Sequence, residues 1–231
     1  MSTAGWAIFD LDGTLVDSQP HVLWSVHETA RAMGASDVQE VRIGPPLREL
    51  LRTALSTSDE AVLAQATDTF KRVHDQAVGP GCKPYGGALE LWNTLKAAGI
   101  GLAIATNKRE APARAIVTHW NFSAALPPMV CADSSVLAGK SGKAAMIAVL
   151  LGQLGADPGR TLMLGDSHED MRGGQENALG LLLFAGWGYG EYKGLGERTA
   201  SPADALAAAQ GFYSAMRQPA AARLAQLPDN G

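Results

Sequence analysis

Five short apolar segments constrain the fold of this chain most strongly, because stretches with helical periodicity separate most of them. Each segment is bounded by Gly, Asp, Asn or Pro and has no polar alternate face, which is typical of strands covered on both sides. Strands that alternate with helices indicate a parallel sheet wrapped by helices. The predicted strands are residues 6–9, 100–106, 128–132, 161–165 and 179–185, and the predicted helices include 86–99, 111–120 and 142–155.

The interval between the first two predicted strands is far longer than one crossover connection needs. Apolar positions recur with helical spacing from about residue 18 to residue 82, which predicts an inserted helical domain. Turn-forming residues mark the return of the chain: Gly79, Pro80, Gly81 and Pro84. We therefore predict an α/β core over residues 1–17 and 83–215, an α-helical cap domain over 18–82, and a C-terminal tail over 216–231.

Composition narrows the possible partners and location. The chain has 231 residues, is 46% hydrophobic, and carries a formal net charge of -4 with its basic residues scattered, so nucleic acid is not an expected partner. Cys82 and Cys131 have no spacing typical of a zinc site or a disulfide framework. The sequence has no apolar run of membrane-spanning length, and from its first residues we expect no targeting segment. We expect a cytoplasmic monomer or homodimer without a membrane partner.

Polar residues follow three of the predicted strands, at the edge where ligands bind to open parallel sheets. Acids that meet at one edge raise each other's pKa unless a cation lies among them. The expected cation is Mg²⁺, which prefers carboxylate oxygens and often bridges to phosphate. The residues after the first, second and fourth strands are Asp10 and Asp12, Thr106 and Asn107, and Asp166 followed by Asp170.

A lysine at a helix start completes this set. Lys143 lies near the start of the helix after the third strand, with Ser141 as its candidate N-cap. A lysine, the Thr106 hydroxyl, helix-start N–H groups and a divalent cation can together neutralise a phosphoryl group during transfer. An aspartate can act as the nucleophile and form an aspartyl-phosphate.

Four motifs in this order resemble those of the haloacid dehalogenase-like hydrolase superfamily. They are DLDGT at 10–14, TN at 106–107, the lysine at 143 and GDSHED at 165–170, and the resemblance runs from about residue 6 to 210. The helical insertion, the segment PYGGALELWNTLKAAGI and GWGYG at 186–190 are similar to the phosphoglycolate-phosphatase-like subgroup. The resemblance implies a Rossmann-like doubly wound core with a small helical cap.

The resemblance also implies a role for each motif residue. Asp10 would be the nucleophile, and Asp12 would be the general acid and then the general base. Thr106 and Lys143 would hold the phosphoryl oxygens. The implied Mg²⁺ ligands are the Asp10 side chain, the Asp12 carbonyl and Asp166, with Asp170 supporting them.

The cap is expected to select the substrate. RIGPPLRELL at 42–51 resembles the cap loop that relatives place near substrate, so Arg48 is a predicted substrate contact. Three further basic residues of the cap are candidates: Arg42, Lys71 and Arg72. The other predicted substrate contacts are Gly13, Thr106, Asn107 and Lys143.

Several alternatives stay open at this point. Lys140, three residues before Lys143, is a second candidate for the phosphate-binding lysine, and His168 lies within GDSHED. Trp187 and Tyr189 are interpreted as packing and loop residues. The predicted function is a Mg²⁺-dependent phosphatase acting on a small phosphorylated metabolite. A sugar-phosphate mutase would use the same residues, and a non-catalytic module that binds a phosphate ligand is the alternative from another class.

Overall fold

A computed structural model describes residues 4–35, 38–41 and 47–217 of the chain. A six-stranded sheet lies at its centre, and all neighbouring strands of this sheet are parallel. In spatial order the strands are β5 (Met129–Cys131), β4 (Gly101–Thr106), β1 (Trp6–Phe9), β6 (Thr161–Gly165), β7 (Leu181–Ala185) and β8 (Glu197–Thr199). The predicted α/β fold with a parallel sheet is confirmed.

Helices cover both faces of this sheet, because alternate strand residues point to opposite sides. Phe9 packs in a buried cluster with side chains of α4 (Ala88–Ala97), α5 (Glu110–His119) and α8 (Pro202–Arg217). Ile8, the adjacent residue, packs in a second cluster with α6 (Gly142–Leu154) and α7 (His168–Glu176). The sheet is therefore doubly wound, with one hydrophobic layer on each side.

In the described part of the chain, three helices lie between β1 and α4: α1 (Gln19–Ala32), α2 (Leu47–Ala54) and α3 (Glu60–Gly81). They share a hydrophobic cluster of their own, which includes Val26, Leu51 and Leu63. Two short strands, β2 (Val16–Asp17) and β3 (Lys83–Pro84), pair antiparallel where the chain enters and leaves these helices. We propose that this pair marks the boundary between the core and the cap, which is the name used below for α1 to α3.

Some elements differ from the sequence predictions. The strands β2, β3 and β8 were not predicted, and β7 begins two residues later than the apolar run that indicated it. Helix α8 extends to Arg217, two residues into the predicted tail, and the Arg217 guanidinium donates a hydrogen bond to the Ala98 carbonyl. Residues 218–231 of that tail lie outside the described residues. Within the described ranges, no helix combines the length and the apolarity needed to cross a membrane.

Candidate active site

The central position of β1 brings the predicted site residues together. Phe9, the last residue of β1, lies in register with Ile104 of β4 on one side and Leu164 of β6 on the other. The next residue, Asp10, donates its backbone N–H to the Leu164 carbonyl at 2.9 Å. The residues that follow these three strands therefore meet at the carboxyl edge of the sheet, where such folds bind ligands.

Three carboxylates form a buried cluster at this edge. One oxygen each of Asp10, Asp166 and Asp170 lies within 4.8 Å of the others, and all three side chains are buried. Burial raises the pKa of Asp166, and the nearby charge of Asp170 raises it further. A set of carboxylate oxygens at this spacing fits a hard divalent cation such as Mg²⁺, which would relieve their repulsion.

Lys143 lies against this cluster from the start of α6. Its ammonium group donates to Asp10 Oδ1 at 2.6 Å and to the Ala105 carbonyl at 3.0 Å, and lies 2.5 Å from Asp170 Oδ1. Burial alone lowers the pKa of Lys143, but the two carboxylates outweigh this effect and hold it above its usual range. Lys140, the alternative from the sequence, is exposed in the loop before α6.

Opposing influences act on the ionised form of Asp10: burial and the neighbouring carboxylates disfavour it, and Lys143 supports it. Burial raises the pKa of Asp10 to about 8; Lys143 opposes this rise, and Asp170 and Asp166 add to it. A divalent cation beside the carboxylate would lower that pKa and stabilise the ionised form, which is the nucleophilic one. Burial makes it energetically costly for several carboxylates of the cluster to be charged at once. A cation that binds there removes this cost, so the ionisation of Asp10 depends on cation binding.

Asp12 has a different partner, Lys108, which the sequence analysis missed. The Lys108 ammonium donates to both Asp12 carboxylate oxygens, at 3.0 and 3.2 Å, and the Lys108 side chain is nearly buried. Burial raises the pKa of Asp12, but Lys108 and a hydrogen bond from Ser18 outweigh it and hold the pKa below its usual range. The available signal was position, since Lys108 directly follows the Thr-Asn pair at the same sheet edge.

The other predicted substrate contacts of the core are placed as follows. Thr106 is buried at the end of β4, and its hydroxyl accepts a hydrogen bond from the Lys108 backbone N–H at 3.1 Å. The Asn107 amide donates instead to Glu169 of α7 at 3.1 Å. Gly13 has a φ of 80°, and a Cβ atom there would overlap the Asp166 carboxylate, so only glycine suits this close approach.

Asp170 caps a helix in addition to belonging to the acidic cluster. Its Oδ2 atom accepts from the Ser167 backbone N–H at 3.0 Å and from the Ser167 hydroxyl at 2.6 Å. Ser167 in turn accepts from the Asp170 backbone N–H, which completes a capping box at the start of α7. The remaining Oδ1 atom faces Lys143, so capping fixes the carboxylate in the cluster. His168, which lies between these two residues, is exposed.

Three of the four predicted basic contacts of the cap lie on its surface. Arg48 is exposed and pairs with Glu60 at the start of α3. Lys71 pairs with Asp68, and Arg72 donates to the Thr69 hydroxyl. Arg42 lies outside the described residues.

A different pair joins α3 of the cap to the core. Arg109, at the start of α5, donates to Asp75 at 2.7 Å, and Asp75 also accepts from His74 at 3.1 Å. Glu60, the partner of Arg48, lies fifteen residues before Asp75 on the same helix, which is about 22 Å along its axis. The structure therefore does not bring Arg48 to the end of α3 that contacts the core.

A parallel α/β fold with a buried acidic cluster, a buried lysine and a helical insertion after its first strand defines a class of Rossmann-like hydrolases. The chain belongs to the haloacid dehalogenase-like hydrolase family: the model of that family, described as haloacid dehalogenase-like hydrolase, matches residues 7–182. Its similarity to phosphoglycolate phosphatases places it in the phosphoglycolate-phosphatase-like subgroup, as the sequence resemblance predicted.

Two relatives illustrate the range of names in this family. A phosphoglycolate phosphatase from Agrobacterium fabrum is 31% identical over 173 residues, covering 71% of this chain and 73% of the relative. The tyrosine-protein kinase PtkA from Mycobacterium tuberculosis is 32% identical over 195 residues, covering 79% of this chain. The chain spans 62% of the length of that kinase.

Solved structures match the fold across nearly the whole chain. A predicted phosphoglycolate phosphatase from Haemophilus somnus has a TM-score of 0.74 at 21% identity, covering 90% of this chain and 99% of that chain. A predicted phosphatase from Clostridium acetobutylicum has a TM-score of 0.71 at 24% identity, covering 91% of this chain and 100% of that chain. At these identities the likeness establishes the fold alone.

Proposed function

We propose that this protein is a Mg²⁺-dependent phosphatase that hydrolyses a small organic phosphomonoester, phosphoglycolate-like or a sugar phosphate, through an aspartyl-phosphate on Asp10. The observation that carries the proposal is the buried cluster of Asp10, Asp166 and Asp170 in contact with Lys143. The relatives that are named phosphoglycolate phosphatases support the choice of substrate class.

The proposed cation site consists of the Asp10 side chain, the Asp12 backbone carbonyl and Asp166, with Asp170 in support. Three carboxylates against one ammonium group leave an excess of negative charge in a buried place, which favours a divalent cation. When bound, Mg²⁺ would offset the charge of these carboxylates and of a phosphoryl oxygen.

In the first half of the proposed reaction, an Asp10 oxygen attacks phosphorus and the bond from phosphorus to the organic oxygen breaks. Lys143 and Thr106 hold the phosphoryl oxygens, and Asp12 gives a proton to the departing oxygen. Because Lys108 lowers the pKa of Asp12, protonated Asp12 requires this ion pair to open. We therefore propose that substrate displaces Lys108 from Asp12 on binding.

In the second half, water attacks the phosphorus of the aspartyl-phosphate, and the bond from phosphorus to the Asp10 oxygen breaks. The Asp12 carboxylate takes a proton from that water, which replaces the proton given to the organic product. Inorganic phosphate leaves, and Asp10 and Asp12 return to their starting states. The two carboxylates thus act in different protonation states. Burial raises the pKa of Asp10 and Lys108 lowers the pKa of Asp12, so the first half relies on the cation beside Asp10 and on the opening of the Lys108 pair to reverse these preferences.

The test is phosphate release from a panel of phosphomonoesters that includes phosphoglycolate, sugar phosphates and nucleotides, with Mg²⁺ or with EDTA. Asp10→Asn keeps the shape of the side chain but removes the nucleophile, so turnover should fall about a thousandfold or more. The matched control is Asp68→Asn on the exposed surface of α3, which should keep full turnover. Wild-type release that persists in EDTA or in Asp10→Asn would contradict the proposal.

The same panel separates the alternatives. A sugar-phosphate mutase would convert its substrate to an isomer without stoichiometric release of phosphate. ATP with a tyrosine peptide tests the activity that the name of the PtkA relative suggests. A non-catalytic module would bind phosphate ligands and turn over none of them.

A further inference from the structure

The GWGYG loop, residues 186–190, is fixed against the Asp166 carboxylate. The backbone N–H groups of Tyr189 and Gly190 both donate to Asp166 Oδ2, at 2.8 and 3.2 Å. Cβ atoms at Gly188 and Gly190 would overlap Asp166, so the glycines permit this contact. The loop therefore binds one oxygen of a carboxylate that belongs to the acidic cluster.

The side chain of Tyr189 reaches the opposite way, to the first residues of the cap. Its hydroxyl accepts from the Ser18 backbone N–H at 2.6 Å and from the Gln19 backbone N–H at 3.2 Å. The same hydroxyl donates to Asp17 Oδ1 at 2.8 Å. These three residues join β2 to the start of α1, so the contact lies where the chain passes from core to cap.

The Tyr189 hydroxyl accepts hydrogen bonds at the N-terminus of α1, as the side chain of an N-cap residue usually does. Ser18 stands at the N-cap position of α1 but its side chain forms no capping hydrogen bond, and Pro20 lacks an N–H group. The Ser18 N–H group is instead satisfied by a residue 171 positions later in the chain, and the Gln19 N–H group is shared between that residue at 3.2 Å and the local Asp17 Oδ1 at 3.1 Å. The start of α1 is therefore held by the loop that also holds Asp166.

We propose that Tyr189 is a positioning residue that couples the start of the cap to the orientation of the Asp166 carboxylate. The inference rests on the proposed function in one respect, since it takes Asp166 as a ligand of a divalent cation. One residue bonds Asp166 through its backbone and α1 through a stiff aromatic side chain, so a shift at either end displaces the other. Coupling of this kind is reciprocal: a cation on Asp166 favours one position of the cap, and that position favours the cation.

The experiment measures amide hydrogen exchange at Ser18 and Gln19 by NMR, with and without Mg²⁺, alongside a calorimetric titration of Mg²⁺. In wild type, Mg²⁺ should slow exchange at both amides several-fold. In Tyr189→Phe, exchange at Ser18 should be about tenfold faster, because this amide loses its hydrogen bond to the phenol. Exchange at Gln19 should rise less, because its hydrogen bond to Asp17 remains, and Mg²⁺ should no longer change either rate. The Mg²⁺ affinity of this variant should fall several-fold by the same coupling.

Tyr192→Phe is the matched control. Tyr192 is exposed to nearly the same extent as Tyr189, and its hydroxyl donates to the Gly196 carbonyl within its own loop. This variant should keep wild-type exchange at Ser18 and Gln19 and wild-type Mg²⁺ affinity.

A purely structural cap gives a different result: Tyr189→Phe would speed exchange by the same factor with and without Mg²⁺, and its Mg²⁺ affinity would stay unchanged. That outcome would overturn the proposed coupling. So would exchange rates at Ser18 and Gln19 of the wild type that are the same with and without Mg²⁺. Neither measurement needs turnover. An active phosphatase without the Mg²⁺ effect would overturn this inference alone, and an inactive protein that shows the effect would overturn only the proposed phosphatase activity.

Discussion

Replacing Lys143 by methionine removes the ammonium group that lies between two buried carboxylates while keeping a side chain of similar length. Lys143 contacts Asp10 at 2.6 Å and Asp170 at 2.5 Å, and the side chains of all three residues are almost fully inaccessible to water. Removal of one partner from a buried ion pair typically costs about 3–5 kcal/mol, because the remaining charge is left without compensation. We expect Lys143→Met to lower the free energy of unfolding by this amount in EDTA.

The assay is urea unfolding of wild type and variants near neutral pH, with EDTA or with saturating Mg²⁺. Because a cation can take the place of the missing charge, Mg²⁺ at about a hundred times its Kd should restore roughly 2.7 kcal/mol. Adding Asp170→Asn to Lys143→Met should also recover about 1–3 kcal/mol, since it removes one of the uncompensated charges. Both recoveries depend on charge and not on packing.

Lys140→Met serves as the control, because Lys140 is exposed three residues earlier and its replacement should change stability by less than about 0.5 kcal/mol. A loss below about 1 kcal/mol in Lys143→Met would refute the proposed electrostatics of the cluster. A loss that neither Mg²⁺ nor Asp170→Asn reduces would assign the effect to packing instead.

Three further changes test other parts of the structure. Burial and the Lys108 ammonium lower the pKa of His74 from 6.5 to about 4, so the folded state binds fewer protons than the unfolded state in this range. The contribution of His74 to the free energy of unfolding should therefore be fully present above pH 6.5 and should fall by roughly 2 kcal/mol towards pH 4. In urea unfolding, His74→Gln should make the free energy of unfolding less dependent on pH; an unchanged dependence would exclude His74 as its source. Gly188→Ala places a Cβ atom against Asp166, so Mg²⁺ affinity measured by calorimetry should fall about tenfold, and unchanged affinity would contradict that contact. Gly211→Ala lies in the open on helix α8 and should raise the free energy of unfolding by about 0.5–1 kcal/mol; a decrease would show a steric conflict.

The sequence predicted those elements that have a local pattern. Apolar runs of four or more residues marked β1, β4, β6 and β7, because a strand buried on both faces requires apolar side chains at every position. The edge strand β8 has only Glu197, Arg198 and Thr199, so its apolar signal is absent. Its position is set by pairing with β7, which no local pattern records.

The candidate site follows the same division. Residues at strand ends could be placed together because the carboxyl ends of parallel strands share one edge, and the structure brings Asp10, Asp166, Asp170 and Lys143 into contact. The pairing of Lys108 with Asp12 joins positions 96 residues apart, and a single sequence does not show which lysine turns inward. The contact partner of a surface arginine such as Arg48 is equally hard to predict from the sequence, since its long side chain can reach many partners.

The antiparallel pair β2–β3 shortens the loop that must close when β1 pairs with β4. Trp6 and Gly101 are 95 positions apart, but pairing of Asp17 with Lys83, which are 66 positions apart, shortens the loop that must close to about 30 positions. Loop-closure entropy grows with the logarithm of loop length, so this short-cut lowers its cost by about 1 kcal/mol. The helices between these strands can therefore change in length with little effect on assembly of the sheet.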